Sequence, residues 1–186
     1  MDKNNIIYNG SQSSSSKNCF DKNFTKEIAQ DNDISTPSFT IINGESSNID
    51  SFKFSKCVIK PNKQGSSVGF SIINDSKEIE DALQSALEHD SHALIENYIE
   101  GREITVSILG NQALPVIDIQ PNHGIYDYRA KYTKGETRYI CPAEIDSSLS
   151  IEIQNAALKV HQLLDCKIYS RVHFRLDKNN KFWLLE

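Results

Sequence analysis

Residues 60–69 read Lys-Pro-Asn-Lys-Gln-Gly-Ser-Ser-Val-Gly, and this stretch decides which fold we expect. Backbone N–H groups of a glycine- and serine-rich loop can surround phosphate oxygens, and glycines let the chain approach a ligand closely. Lys60 precedes the glycines at the end of a predicted strand, so the stretch is not a P-loop, in which the lysine follows them. From these residues alone, a phosphate-binding loop and a flexible surface turn both remain open.

The stretch at residues 93–106 reads Ala-Leu-Ile-Glu-Asn-Tyr-Ile-Glu-Gly-Arg-Glu-Ile-Thr-Val. A strand that ends in a carboxylate and then leaves the sheet suits a hinge that contacts the edges of adenine and ribose. Backbone groups near Asn97 and Ile99 would contact the base, and a glutamate would accept protons from the ribose hydroxyls. A solvated acidic turn is the alternative interpretation.

Hydrophobic periodicity predicts the elements around these two stretches. Apolar residues at helical spacing indicate amphipathic helices over residues 76–90 and 148–165. A shorter helix follows Asp21, with Phe24 and Ile28 on one face. Short apolar runs indicate strands over residues 38–42, 56–61, 92–99, 104–109 and 113–119.

The two ends of the chain carry further expectations. Residues 1–20 are polar and rich in serine and asparagine, so we expect a disordered lead-in. Residues 170–186 predict a hairpin with its turn at Asp177–Asn180, a register that pairs His173 with Leu184. An apolar strand at residues 182–185 is an unusual last element, and it suggests that the chain is part of a longer protein.

Composition limits the class of protein. The net charge of −5 argues against a nucleic-acid partner, which would require a basic surface. No apolar run approaches the ~18 residues that span a membrane. The N-terminal residues lack the basic region and apolar core of a secretory signal, so we do not expect one there. The four cysteines form no CxxC pair, so we expect reduced thiols and a cytoplasmic protein.

Four motifs, taken in order, carry a resemblance to a known family. They are K-P-x3-G-S-S-x-G, I-E-x-Y-I-x-G-R-E-x-T-V, Y-D-Y-x-x-K-Y-T-x-G and S-R-V-x-F. From about Asp21 to Glu186 the chain resembles the D-alanine–D-alanine ligases of the ATP-grasp superfamily. The resemblance implies an α+β fold of two antiparallel sheets with flanking helices, and ATP lying between the sheets. It also implies a central subdomain at residues 21–103 and an incomplete C-terminal subdomain at 104–186, with an omega loop at about 121–142.

The resemblance also implies roles for particular residues. Lys22, Lys60 and Lys131 would contact the phosphates of ATP, whereas Glu96, Asn97, Ile99 and Glu103 would hold adenine and ribose. Ser66 would share a hydrogen bond with Tyr132 of the omega loop, which closes over the nucleotide as a lid. Arg171 would stabilise the oxyanion of a tetrahedral intermediate.

The implied reaction has two steps. The carboxylate of one D-alanine attacks the γ-phosphate of ATP to give a D-alanyl phosphate, and the amine of a second D-alanine displaces phosphate. The product serves peptidoglycan synthesis. Family members use Mg²⁺ or Mn²⁺, are commonly homodimers, and have D-alanine and ATP as small-molecule partners, with no nucleic acid and no membrane.

The chain departs from the family pattern at the metal position. His173 stands where relatives have an aspartate, Glu186 matches the glutamate, and the asparagine expected two residues later is beyond the sequence. Magnesium prefers oxygen ligands, so a histidine there indicates a degraded position. We therefore expect a partial ligase that is inactive alone. The alternative is a non-catalytic ATP-grasp remnant that binds nucleotide.

Overall fold

The computed structural model describes residues 8–43 and 56–186. The helices are α1 (Ser13–Phe20), α2 (Lys22–Gln30), α3 (Ile79–Leu87), α4 (Tyr128–Tyr132) and α5 (Ser147–Leu163). The strands are β1 (Phe39–Asn43), β2 (Cys57–Pro61), β3 (Ser71–Ile73), β4 (His92–Asn97), β5 (Arg102–Leu109), β6 (Gln112–Ala113), β7 (Ile117–Pro121), β8 (Thr137–Ile140), β9 (Tyr169–Leu176) and β10 (Phe182–Leu184).

The strands form two sheets in which the neighbouring strands are antiparallel. The first has the order β1-β4-β2-β3, and the second has the order β10-β9-β5-β7-β8 with β6 paired to β5. The expected α+β architecture of two antiparallel sheets with flanking helices is therefore confirmed.

The first sheet is covered by α3. Ala86 of this helix and Ile59, Ala93 and Ile95 of β2 and β4 lie in one buried cluster. A short 3-10 turn leads into α3, and the carboxylate of Asp75 accepts a hydrogen bond from Lys77 N at 3.1 Å. Such a cap satisfies backbone donors that would otherwise lack a partner, so the helix begins at a defined place over the sheet.

The second sheet packs against α5. Strands β5 and β9 form its long central pair, and their residues Ile104 and Phe174 are fully buried with Ile153 and Ala157 of α5. Ala29 of α2 joins the same buried cluster. The N-terminal helices are therefore anchored on the second sheet, although the strands that follow them in the chain form the first.

The expectation of a disordered lead-in at residues 1–20 is wrong for residues 13–20, which form α1. Residues 1–7 lie outside the described part of the chain. Helix α1 lacks apolar periodicity, but Ser15 is buried and donates a hydrogen bond to Leu164 O at 2.8 Å. The helix is thus stabilised by partners about 150 residues away in the chain, which local sequence cannot indicate.

The predicted register of the last hairpin is also wrong, by one residue. Phe174 pairs with Leu184, so His173 does not. Asp177 N donates to Lys181 O, and Asn180 adopts a left-handed φ of 61° inside the turn. The turn therefore extends to Lys181 instead of ending at Asn180, and a change of one residue alters every cross-strand pair.

No helix in residues 8–43 and 56–186 is long and apolar enough to cross a membrane.

Between the two sheets the chain passes through Gly101, whose φ is 148°. A Cβ atom there would lie 2.1 Å from the backbone oxygen of Leu176. The absence of a side chain at Gly101 therefore allows β4 to lead directly into β5.

We expect Gly101→Ala to lower the free energy of unfolding by more than about 3 kcal/mol, because the backbone atoms in its way cannot rotate aside. Gly110→Ala is the matched control: its φ is also positive but nothing lies near the added methyl group. That change should cost about 1 kcal/mol. Urea denaturation of both variants measures the difference, and equal losses would contradict the close approach at Leu176.

Candidate functional site

A cleft lies between the two sheets, and most residues that the sequence assigned to a site line it. Its walls include the 60–69 loop, the end of β4, the 98–101 connection and the segment around α4. The predicted site residues in the lining are Lys22, Lys60, Ser66, Glu96, Asn97, Ile99, Glu103, Lys131 and Glu186. The other three predicted residues, Tyr132, Arg171 and His173, lie outside this lining.

Glu96 is the most deeply buried charge in the lining. Its two carboxylate oxygens face two ammonium groups, Lys60 Nζ at 2.5 Å and Lys26 Nζ at 2.7 Å. Burial opposes ionisation of Glu96, but the charges of Lys26 and Lys60 outweigh it and lower its pKa to about 2. The carboxylate is therefore ionised at neutral pH, and each of its oxygens is paired with one of the two lysines.

Lys26 is a residue that our sequence reasoning missed. It lies on the buried face of α2 with Lys22 and Thr25, whereas Phe24, which the sequence placed on one face with Ile28, is exposed. Its ammonium also donates to Thr36 Oγ1 at 2.8 Å and to Leu184 O at 3.4 Å. Burial lowers the pKa of Lys26 to about 8 despite the nearby Glu96 carboxylate. Lys26 thus joins β4 of the first sheet to β10 of the second.

Lys22 supports the glycine- and serine-rich loop. Its ammonium donates to the carbonyl oxygens of Asn62 at 3.2 Å and Gln64 at 2.6 Å. Burial lowers the pKa of Lys22, with the Glu186 carboxylate opposing that shift. The side chain therefore lies in the cleft as predicted, while it also fixes the backbone of residues 62–64.

Arg175, on β9, organises the other end of the cleft and was also missed. It donates to Ile99 O at 3.1 Å and to Tyr98 Oη at 3.0 Å, and it lies 3.5 Å from Glu103 Oε2. The N–H of Asn97 is bonded to Ser38 O, so that backbone donor is already used inside the protein. Arg175 therefore fixes the positions of Tyr98, Ile99 and Glu103. A flat ligand bound at this end of the cleft would contact these three residues.

The segment expected to be an omega loop is docked on the glycine- and serine-rich loop. It contains α4 and β8, and α4 is capped by Asp127, whose carboxylate accepts from Ala130 N at 2.8 Å. Tyr132 Oη lies 2.7 Å from Ser66 Oγ, the contact that the resemblance implied. Lys131 Nζ donates to Ser67 Oγ at 2.9 Å, a partner that the sequence did not suggest.

Arg171 and His173 line a second cavity, next to the cleft, which Glu186 also borders. His173 is buried, its Nδ1 lies 3.9 Å from Glu103 Oε1, and its Nε2 has no hydrogen-bond partner. Loss of solvent opposes ionisation of Glu186, but Lys60 and Lys22 outweigh it and hold its pKa below the ordinary value. The positive charges of Lys60 and Lys22 thus favour the ionised form of Glu186.

The residues here do not fit a protein-bound magnesium ion. In the described residues, no three histidine, cysteine, aspartate or glutamate side chains are grouped so that they could hold a metal. Glu186 supplies one carboxylate, and His173 supplies a neutral donor that hard cations disfavour. We therefore assign no chemical step to a metal held by these side chains.

We expect Lys26→Met to lower the free energy of unfolding by about 3 kcal/mol or more, because it leaves half of the Glu96 carboxylate buried without a counter-charge. Lys167→Met is the control, since its ion pair with Asp165 at 2.6 Å is exposed. That change should stay within about 0.5 kcal/mol. Urea denaturation gives both values, and a Lys26→Met variant as stable as the control would contradict the bridging role.

Comparison with known proteins agrees with this geometry. A family model described as the D-ala D-ala ligase C-terminus matches residues 32–186. The D-alanine–D-alanine ligase of Methylacidiphilum infernorum (isolate V4) is 39% identical over 182 residues, 97% of this chain and 59% of that protein. The crystal structure of the Bacillus anthracis D-alanine–D-alanine ligase has a TM-score of 0.86 at 34% identity, covering 99% of this chain and 61% of that one.

A second structure of the Bacillus anthracis ligase, complexed with ATP, has a TM-score of 0.84 at 29% identity and covers 100% of this chain and 60% of that one. The chain therefore spans about 60% of the length of the relatives that it matches. Because the family model covers most of the chain, and the fold is similar to that of a solved member, the chain belongs to the D-alanine–D-alanine ligase C-terminal family.

Proposed function

We propose that these residues form the ATP-binding core of an ATP-dependent D-alanine–D-alanine ligase. One observation carries the proposal: the seven residues assigned to ATP all line a single cleft between two antiparallel sheets. They are Lys22, Lys60, Glu96, Asn97, Ile99, Glu103 and Lys131. These residues come from several separate elements, so their convergence is a property of the fold and not of one local motif.

The charge distribution along the cleft supports one orientation of the nucleotide, with its phosphates at the glycine- and serine-rich loop and its adenine at the opposite end. Lys22, Lys60 and Lys131 place three ammonium groups around the glycine- and serine-rich loop, where a triphosphate would be neutralised. At the opposite end, Ile99 and Glu103 are held by Arg175 and present a backbone edge and a carboxylate. Adenine and ribose would lie there, with Glu103 accepting hydrogen bonds from the ribose hydroxyls.

Ser66, Tyr132 and Arg171 are the residues to which we assign catalytic roles. The Ser66–Tyr132 hydrogen bond joins the omega loop at about residues 121–142 to the phosphate loop, and it would close the cleft over bound nucleotide. A closed cleft keeps water from an acyl phosphate. Arg171, in the cavity next to Glu186, would stabilise the oxyanion formed when the amine of a second D-alanine attacks.

The remaining assignments are part of the same proposal. The substrates are ATP and two D-alanine molecules, and the product enters peptidoglycan synthesis in the cytoplasm. The central subdomain covers residues 21–103 and the C-terminal subdomain covers 104–186. The protein would act as a homodimer without nucleic acid or membrane partners, and divalent magnesium or manganese would accompany ATP.

The second candidate function is that of a nucleotide-binding module without ligase activity. His173 favours it, because a buried imidazole whose Nε2 has no partner replaces a charged metal ligand of the family. Both candidates require nucleotide binding in the cleft. They differ in whether the bound nucleotide transfers its phosphoryl group, and we expect these 186 residues alone to release no D-alanine-dependent phosphate.

Nucleotide binding is tested with Lys131→Met. Removal of a charge-assisted contact to phosphate should weaken the binding of a fluorescent ADP analogue by about tenfold or more. Lys134→Met, a change of an exposed lysine in the same loop, should leave the affinity unchanged. Equal affinities of the two variants, or no saturable binding by the unchanged chain, would overturn the assignment of the cleft.

The metal position is tested with His173→Asp. A carboxylate there should tighten ADP binding in Mg²⁺ by about tenfold, because it restores an oxygen ligand beside Glu186. In EDTA the variant should bind ADP no more tightly than the unchanged chain, because without a metal the added carboxylate repels the phosphates; the gain in affinity should therefore depend on Mg²⁺. A variant that gains nothing from Mg²⁺ would show that residue 173 is not the position that weakens the metal site.

A further inference from the structure

Two cysteines far apart in the sequence meet beside the second cavity. Cys19 on α1 and Cys166 in the connection from α5 to β9 are 147 residues apart, and their sulfur atoms lie 3.3 Å apart. Neither sulfur belongs to the nucleotide cleft, although both line the cavity that Arg171 also borders. The pair has no part in the function proposed above.

Several hydrogen bonds hold the two cysteines in this position. Ser15 Oγ donates to Leu164 O at 2.8 Å and contacts Cys166 Sγ at 3.6 Å. One turn earlier in the chain, Ser11 Oγ accepts from Lys167 N at 2.9 Å and donates to Lys167 O. Helix α1 and Ser11 before it are therefore attached to the end of α5 and to the α5–β9 connection, and the meeting of the two sulfurs is part of that attachment.

The surroundings of Cys166 favour its thiolate. With the Cys19 thiol as donor, the Cys166 sulfur receives a hydrogen bond from Cys19, and the Ser15 hydroxyl oxygen lies 3.6 Å from it. The Cys19 hydrogen bond is the main cause that lowers the pKa of Cys166, to about 6, while burial and Asp165 oppose it. The same pairing raises the pKa of Cys19 above its ordinary range. One proton shared between two adjacent sulfurs is the arrangement from which disulfide exchange starts.

We propose that Cys19 and Cys166 form a thiol–disulfide exchange site whose substrate is a low-molecular-weight disulfide of the glutathione class. Cys19 is the half-buried member and meets the disulfide first, whereas Cys166 is buried. As the Cys19 sulfur attacks, its proton passes to Cys166 along their hydrogen bond. A mixed disulfide of Cys19 and glutathione forms, and the first glutathione leaves as a thiolate that takes a proton from solvent.

Cys166 then attacks the Cys19 sulfur of the mixed disulfide, loses its proton to solvent, and the second glutathione leaves and is protonated. In total, one S–S bond of glutathione disulfide breaks and one protein S–S bond forms. Two cysteine thiols are oxidised and two glutathione thiols are produced. The sulfurs must approach by about 1.3 Å to reach the bond length of a disulfide, a small shift for a short surface helix.

The protein disulfide would join the helix that leads into Lys22 to the connection that precedes β9, the strand that carries Arg171. It closes a loop of 147 residues and therefore restricts the unfolded chain strongly. Oxidation should accordingly raise the melting temperature, and reduction with dithiothreitol should reverse the change.

The test is a titration of the unchanged chain with mixtures of reduced and oxidised glutathione, followed by peptide mapping without reduction. We expect a Cys19–Cys166 crosslinked peptide, loss of two of the four free thiols, and no lasting glutathione adduct. Cys166→Ser should instead accumulate a glutathione adduct on Cys19. Cys141→Ser, a change at the exposed cysteine outside the pair, should form the crosslink as the unchanged chain does.

Either of two results would overturn the proposal. In the first, the Cys19–Cys166 peptide is missing while Cys141 reacts with glutathione. In the second, Cys166→Ser leaves Cys19 unmodified under conditions that oxidise the unchanged chain. Because the peptide map of the unchanged chain requires neither nucleotide nor folding of a variant, failure here is distinguishable from failure of the cleft to bind ADP.

Discussion

Glu96 is a carboxylate with almost no access to water, and two lysines neutralise it from opposite sides. A buried charge of this kind is stable only while its partners stay in place. Lys60 comes from β2, next to Glu96 in the first sheet, whereas Lys26 comes from α2 and also bonds to Leu184 O of β10. The buried charge on Glu96 is therefore stable only if the two sheets keep their positions relative to each other. The cleft lies between the sheets, so the same positions determine its shape.

The chemistry expected of the cleft follows from this constraint. The lysine side chains around the glycine- and serine-rich loop are oriented by Glu96, by carbonyl oxygens or by Ser67 before any ligand binds. Positive charge that is already oriented costs little reorganisation when a triphosphate arrives. Arg175 does the same at the other end, where it holds the carbonyl of Ile99 and the carboxylate of Glu103. His173, at the position where the family resemblance implies a metal ligand, is buried, and its Nε2 has no hydrogen-bond partner.

Most of this architecture could be predicted from the sequence. The long-range contacts that hold its elements together could be predicted less well. Periodicity predicted the main helices and most strands, whereas the family resemblance implied the two sheets and the nine site residues that line the cleft. Lys26 was missed because a lysine on a helix is ordinarily assumed to face solvent, and its partners come from distant strands. Helix α1 was missed because its stability comes from Leu164 and Lys167. The hairpin register was wrong because the left-handed Asn180 changes the turn.

A crystal structure of the chain with a non-hydrolysable ATP analogue would show whether nucleotide binds in the cleft while Glu96 keeps its contact with Lys26. We expect the adenine ring beside Tyr98 and Ile99, the ribose at Glu103, and the phosphates among Lys22, Lys60 and Lys131. The Glu96 carboxylate should still contact Lys26 in that complex, since this contact fixes the two sheets. Nucleotide bound outside the cleft, or a Glu96 that leaves Lys26 to contact the ligand, would contradict the account.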